Sequence, residues 1–182
     1  GLTLSSNGMI DGTPTTVETD TFTVTVTDGA GRTAVQTLTI PVTTPVAVAT
    51  STVAAAEAGF AYSAQLAETG GTGSYTWSLT AGTLPNGLTL SSSGLISGTP
   101  TTAETDTFTV TATDSGGRTA SAVYTIVVSM AITTRVVPPI TLNLAYSTQL
   151  TAAGGNGTYT WSVSSGATPP GISITKIGKA HL

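Results

Sequence analysis

Residues 1–40 align without a gap on residues 87–126, with 29 identities in 40 positions. A self-match at a fixed offset, here 86 residues, is the mark of an array of similar structural units. It constrains the chain more than any other feature. Whatever the stretch Leu84 to Asp114 folds into, the stretch Gly1 to Asp28 must fold into as well. The offset also sets the unit size, which is large enough to bury a modest core.

The fold class follows from what fills the repeat. The chain holds 41 threonines among 182 residues, together with many valines. Both side chains are branched at Cβ and suit a pleated strand better than a helix. From Thr21 to Thr27, Phe22, Val24 and Val26 alternate with threonines, the period of a half-buried strand. Asp28-Gly29-Ala30-Gly31 then predicts a hairpin turn, and Thr33 to Ile40 returns with Val35, Leu38 and Ile40 apolar. The 21 glycines and 9 prolines fall mostly between such runs. Only 8% of residues are charged, but 39% are hydrophobic, the opposite of a disordered composition. The reading is all-β.

Residues 45–129 are predicted to form one complete module. Val46 and Val48 start it, Tyr62, Ala64 and Leu66 alternate in a second strand, and Tyr75, Trp77 and Leu79 share a face in a third. Leu88 and Leu90 follow, and a long hairpin pairs Phe108, Val110 and Ala112 with Ala122, Tyr124, Ile126 and Val128. About seven short strands with regularly spaced turns describe a β-sandwich. Residues 1–44 read as the C-terminal half of such a module. Residues 130–182 read as the N-terminal half of a further one, because Tyr146, Gly154-Gly155 and Trp161 repeat Tyr62, Gly70-Gly71 and Trp77 at an offset of 84. Beyond Ile174 the pattern fails, and Thr175 to Leu182 form an atypical tail.

The order of a Tyr-x-x-x-Leu strand, Gly-Gly, Tyr75 and Trp77, then LPNGLTL, SGLISGTP and DTFTVTATDSGGR resembles the Putative Ig repeats of bacterial and archaeal surface proteins. Those repeats are related to dystroglycan-type cadherin-like domains. The likeness covers 45–129 and both flanking halves. It implies tandem Ig-like, cadherin-like β-sandwiches, one complete and two half modules, serving as stalk, spacer or adhesion segments of large extracellular proteins. It implies an extracellular or cell-surface location and no catalytic residues.

Several functions are disfavoured residue by residue. The net charge is −4, and Arg32, Arg118, Arg135, Lys176 and Lys179 do not cluster, so no nucleic-acid footprint exists. With no cysteine there is no disulfide, thiolate metal site or cysteine nucleophile. No apolar run reaches the length of a spanning helix. The chain opens inside a repeat, so the lack of a leader says nothing about export. The single histidine, His181, lies outside the repeat pattern, where nothing would hold it as a general base. The chain is therefore expected not to be an enzyme.

Two ligand classes remain as alternatives, in an accessory module of a secreted enzyme. Calcium wants about six to eight oxygens, several from carboxylates. The junctions 40–56 and 129–145 contain no Asp or Glu, which argues against an interdomain cation. Asp106 and Asp114 lie roughly 26 Å apart along one strand. Glu104 and Asp106 are the only weak calcium candidates, read otherwise as solvated loop residues; Asp28 and Asp114 are read as turn-forming. Sugars stack on exposed aromatics, and Tyr75, Trp77, Tyr159 and Trp161 are the candidates, although an Ig-like sandwich buries a tryptophan on its third strand. The predicted partners are neighbouring repeats, a surface glycan or protein ligand, and a second copy. The last is considered because each half module exposes half a core and an open strand edge, inviting head-to-tail association into a filament; the competing reading is that the chain is a piece of a longer polypeptide.

Overall fold

The computed structural model describes residues 1–174, all as strands, turns and irregular backbone. The tail with Lys176, Lys179 and His181 lies outside the described residues. The leading segment contributes β1 (Leu2–Leu4), β2 (Ile10–Gly12), β3 (Thr19–Thr27) and β4 (Thr33–Pro41). β1 pairs with β2 and β3 with β4, both antiparallel, the second from Thr19 opposite Pro41 to Thr27 opposite Thr33.

Nine strands follow between Ala47 and Ser129. They are β5 (Ala47–Val48), β6 (Ala56–Glu57), β7 (Tyr62–Gln65), β8 (Glu68–Thr69) and β9 (Tyr75–Gly82), then β10 (Leu88–Leu90), β11 (Leu95–Gly98), β12 (Thr105–Asp114) and β13 (Thr119–Ser129). One sheet has the order β10-β11-β7, the other β6-β13-β12-β9, with β5-β8 as a small flanking pair. The two sheets enclose one core. Phe108, Val110, Tyr124 and Ile126 come from the larger sheet, Ile96 and Leu88 from the smaller, and Trp77 from the edge strand. Phe108 and Tyr124 meet edge-tilted with ring centroids 6.2 Å apart. The buried phenols keep their polar tips satisfied, Tyr124 donating to the Thr50 carbonyl at 2.7 Å and Tyr62 to the Ala54 carbonyl at 2.9 Å.

Threonine accounts for the other face. Along β12, Phe108, Val110 and Ala112 point inward while Thr107 and Thr111 point out. The outer hydroxyls bond across strands: Thr107 with Thr125 at 2.8 Å, Thr111 with Ser121 at 2.8 Å and Thr80 with Thr111 at 2.9 Å. Such cross-strand pairs stabilise a sheet by about 0.2–1 kcal/mol each. The β9–β12 ladder shifts register between Thr109 and Val110, placing a bulge in the edge strand. Leu79, expected to share the buried face of Trp77, is 40% exposed beside this irregular edge.

Among the described residues, the trailing segment forms only β14 (Ala131–Ile132) and β15 (Ala152–Ala153), an antiparallel pair. The alternating stretches around Tyr146 and Trp161 form no strands, contrary to expectation. The reason lies in the middle module. There, β7 pairs with β11, β9 with β12 and β6 with β13, so each takes its ladder from the second half of the unit. Only β5 pairs within the first half, with β8, and β14–β15 is that same pair at an offset of 84.

Identical sequence therefore meets unequal burial. Phe108 and Val110 are buried in the closed sandwich, whereas their copies Phe22 and Val24 are only half-buried. Replacing Phe108 with alanine should lower unfolding free energy by about 3–5 kcal/mol, and Phe22→Ala by less than about 1 kcal/mol, in dilute denaturant titrations followed by tryptophan fluorescence.

Candidate functional site at the module poles

The hairpin between β12 and β13 closes on Asp114. Its carboxylate is buried. Oδ1 accepts from the backbone N–H of Gly116 at 3.0 Å and of Arg118 at 2.8 Å. Oδ2 accepts from the Thr72 N–H at 2.9 Å and from Arg118 Nε at 3.0 Å, with Arg118 Nη2 at 2.9 Å. Burial by itself would raise this carboxyl. The N–H groups of Arg118 and Thr72 and the guanidinium charge outweigh it and hold the pKa below the usual carboxylate range. Asp28 has the same hairpin, with Arg32 N–H at 2.8 Å and Arg32 Nε at 2.7 Å, but no donor from a facing loop. Its pKa is also lowered, chiefly by the Arg32 N–H and side chain.

Arg118 carries the corner outward. Its guanidinium also donates to Thr72 Oγ1 at 2.6 Å and to Thr43 Oγ1. The Gly71 N–H bonds the Thr44 carbonyl at 2.9 Å. Gly71 sits at φ +62°, and a Cβ there would lie 2.8 Å from both Asp114 Oδ2 and Val46 Cγ2, so only glycine fits. Residues 43–46, the 70–73 turn and the 114–118 hairpin are thus tied at one pole. Every lone-pair direction of Asp114 that the corner uses is occupied by a donor from the chain.

At the opposite pole, Glu104 and Asp106 do not stand as solvated loop carboxylates. Glu104 is half-buried and its Oε1 accepts from the Asn86 N–H at 2.8 Å. Asp106 is half-buried within β12, opposite Ile126, and its Oδ2 is buried without a hydrogen-bond partner. No group of three or more acidic, histidine or cysteine side chains able to hold a metal occurs among the described residues.

The same pole holds a contact that residue-level reading missed. Arg135 pairs with Glu57 at 2.9 Å and stacks with its guanidinium carbon 4.0 Å from the centre of the Phe60 ring. Nearby, Gly59 and Gly154 sit where the trailing segment meets the middle module. A Cβ on Gly59 would meet Thr133 and Ala153, and one on Gly154 would meet Ala58, Ala103 and Met130. As one of five scattered basic residues Arg135 carried no signal; only its place against an aromatic ring across the junction gives it a role.

The aromatic candidates divide. Trp77 is 4% exposed, and its indole donates to Glu68 Oε2 at 3.2 Å, so it belongs to the core. Trp161 is half-buried in an open groove with Val137, Ile140, Tyr146, Leu150 and Ile172. Tyr75 and Tyr159 donate to the Gly70 and Gly154 carbonyls of their own turns. A second groove, lined by Leu2, Leu4, Ile10, Phe22, Ile40 and Val42, opens in the leading segment.

The family model described as Putative Ig domain matches residues 1–43 and again residues 44–129. No curated protein matches the chain. Among solved structures, the chain is similar to extracellular cadherin domains 1–4 of protocadherin gamma B7, with 16% identity over 73% of this chain and 41% of that one, TM-score 0.41. The extracellular domain of protocadherin gamma B4 matches with 14% identity over 98% of this chain and 36% of that one, TM-score 0.41. A "putative alpha-galactosidase" from Bacteroides fragilis matches with 21% identity over 46% of this chain and 16% of that one, TM-score 0.36. The chain spans less than half the length of each of these.

Two measurements check the poles. The lowered pKa of Asp114 means its stabilising contribution is complete above the unfolded value near 4 and is lost as pH falls through the folded value. Asp114→Asn should lower the melting temperature by several degrees at pH 7 and flatten the loss of stability between about pH 5 and pH 2. Iodide should quench Trp161 and leave Trp77 dark to the quencher, giving a two-component plot that becomes uniformly protected in Trp161→Phe.

Proposed function

The chain belongs to the Putative Ig domain family, and on that footing we propose that it is a non-catalytic structural segment, a spacer or stalk of an extracellular surface protein. The observation that carries this reading is how the junctions are used. The last strand of one repeat runs into the next within a few residues, from Pro41 to Ala47 and from Ser129 to Ala131. Side chains bridge each joint, Arg118 to Thr43 at one and Arg135 to Glu57 at the other. Short connections with bridging contacts favour a stiff string over a flexible tether.

The chemistry of the surface agrees with such a role. The outer sheet faces bear threonine hydroxyls bonded to one another, not convergent charged groups. The buried carboxylate of Asp114 is engaged by its own backbone. An outer face of mutually bonded hydroxyls presents no convergent charge for an oppositely charged partner, which suits a segment whose task is to hold something else at a distance. Adhesion, where it occurs, then belongs to a surface glycan or protein ligand met by the larger assembly.

The test is the stiffness of the joint. Spin labels on cysteines placed at Thr111 and Thr158, on either side of the second junction, should give one narrow distance distribution. Arg135→Ala should broaden it without changing the melting temperature of the middle module. Calcium at about 10 mM, above the roughly 0.1–1 mM range of extracellular calcium modules, should change neither quantity. A calcium-dependent narrowing, or specific retention on a glycan array, would overturn the spacer reading in favour of a ligand-binding accessory module.

A further inference from the structure

We propose that the bulge at Thr80 is a guard: it stops the exposed edge of β9 from pairing with the β9 of a second copy or of a neighbouring repeat. The need for a guard lies in the sequence around it. β9 reads Tyr-Thr-Trp-Ser-Leu-Thr-Ala-Gly, with aromatic and β-branched residues, no charge and no proline. Windows of that kind pair readily with copies of themselves when their backbone is open. Edge strands are commonly blunted by lysine or proline. Here no charged residue lies anywhere between Glu68 and Glu104, so charge cannot serve.

The edge itself has two parts. β12 occupies one side of β9 from Tyr75 to Gly82. On the other side, the Trp77 N–H is already taken by the Ser92 carbonyl at 2.9 Å. From Ser78 to Gly82 every residue is exposed, in the module whose two halves are both present. It is in this uncovered part that the ladder breaks. Leu79 stands opposite Val110 and Ala81 opposite Thr109, which leaves Thr80 as the extra residue. An extra residue bends its strand and puts the outward N–H and C=O groups out of step with a straight neighbour. At the far side of the same sheet β13 is flanked by the chain itself, with β6 paired at Val128 and the Tyr124 phenol bonded to Thr50.

Two features hold the bend. Thr80 Oγ1 donates to the Thr109 carbonyl at 3.3 Å and lies 2.9 Å from Thr111 Oγ1. Gly82 follows at φ +73°, and a Cβ there would come within 2.3 Å of the Thr107 carbonyl oxygen, so only glycine fits. The trailing repeat keeps both kinds of residue. Ser164 and Gly166 stand at the equivalent positions, offset by 84, and Gly166 has φ +77° although no ladder forms there. The bend is thus set by the local chain before a ladder exists. That order matters in an array, where near-identical strands are held close together and misassembly between neighbours is a characteristic failure.

The test removes the bulge in the full chain, in a Trp161→Phe background so that fluorescence reports Trp77 alone. Deleting Thr80 gives an unbroken β9–β12 ladder and leaves the phase of Trp77 unchanged. Sedimentation should then show self-association at a concentration at least about tenfold below that of the undeleted chain. Adding Ser78→Lys to the deletion should reverse the effect, because lysine restores charge to the edge. In the deletion chain, Ser78→Cys should be joined between copies by a short bismaleimide, and Thr125→Cys, on the outer face of β13, should not; the chain has no other cysteine. Thr80→Ala keeps the chain length and loses only the hydroxyl pin, so it decides the matter if the deletion disturbs Trp77. It should associate more than the parent, by a smaller factor than the deletion. A folded deletion variant that associates no more than the parent, association that Ser78→Lys does not relieve, or equal cross-linking at both cysteines would each overturn the proposal. So would a Thr80→Ala chain that matches the parent where Trp77 shows the deletion to be misfolded. None of these outcomes bears on the spacer reading.

Discussion

The ladders that run between the two halves of a unit are the constraint on which the rest depends. A β-strand leaves half its backbone donors and acceptors unpaired until a neighbour arrives. In this fold the neighbours of β6, β7 and β9 all come from later in the chain, beyond Leu95. The first half of a unit can therefore make turns and the small β5–β8 pair, but cannot make its main strands alone. The second half is different, because its β10–β11 and β12–β13 hairpins are local. The leading segment accordingly keeps long strands while the trailing one, with equally alternating sequence, does not. Half a repeat is not half as folded.

The Asp114 corner shows how the same asymmetry acts on charge. Its hairpin donors are local and are present in the Asp28 copy as well. What buries Asp114 is the 70–73 turn of the other half, which also brings the Thr72 N–H. Desolvation and compensation thus arrive together when the halves meet, and the bonds win over the burial. A carboxylate that lost the first half would become solvated instead of stranded, as Asp28 is. The corner can assemble in steps without passing through an unpaired buried charge.

Much of this was legible in the residues. The repeat, the period-two alternation of Phe108, Val110 and Ala112, the hairpin aspartates and the buried Trp77 all follow from local chemistry and fixed offsets. What escaped the residues depends on long-range partners. Phe22 and Phe108 sit in nearly identical sequence, yet one is open and one enclosed, since burial belongs to the facing sheet. The strands expected near Tyr146 and Trp161 fail for want of ladders. Asp106 reads as a polar loop residue, but the strand extends through it and leaves one carboxylate oxygen buried and unbonded. Leu79 follows the inward phase of β9 until the bulge, where the phase no longer holds.

The joints add a last step. The modules repeat, but the residues that fix one module against the next do not all repeat with them. At the offset of 84, Arg135 corresponds to Ser51, which cannot reach a carboxylate and an aromatic ring together. The first joint instead relies on Arg118, which is already committed to Asp114 and extends from there to Thr43. One joint is thus an outgrowth of the fold's own corner and comes with every repeat that keeps the Asp–Arg hairpin. The other is a separate salt bridge and cation–π contact at an exposed position, where each interaction stabilises by about 1 kcal/mol or less. Fold and joint contacts are thus separable: Arg135, Glu57 and Phe60 take no part in the buried core that closes the middle module.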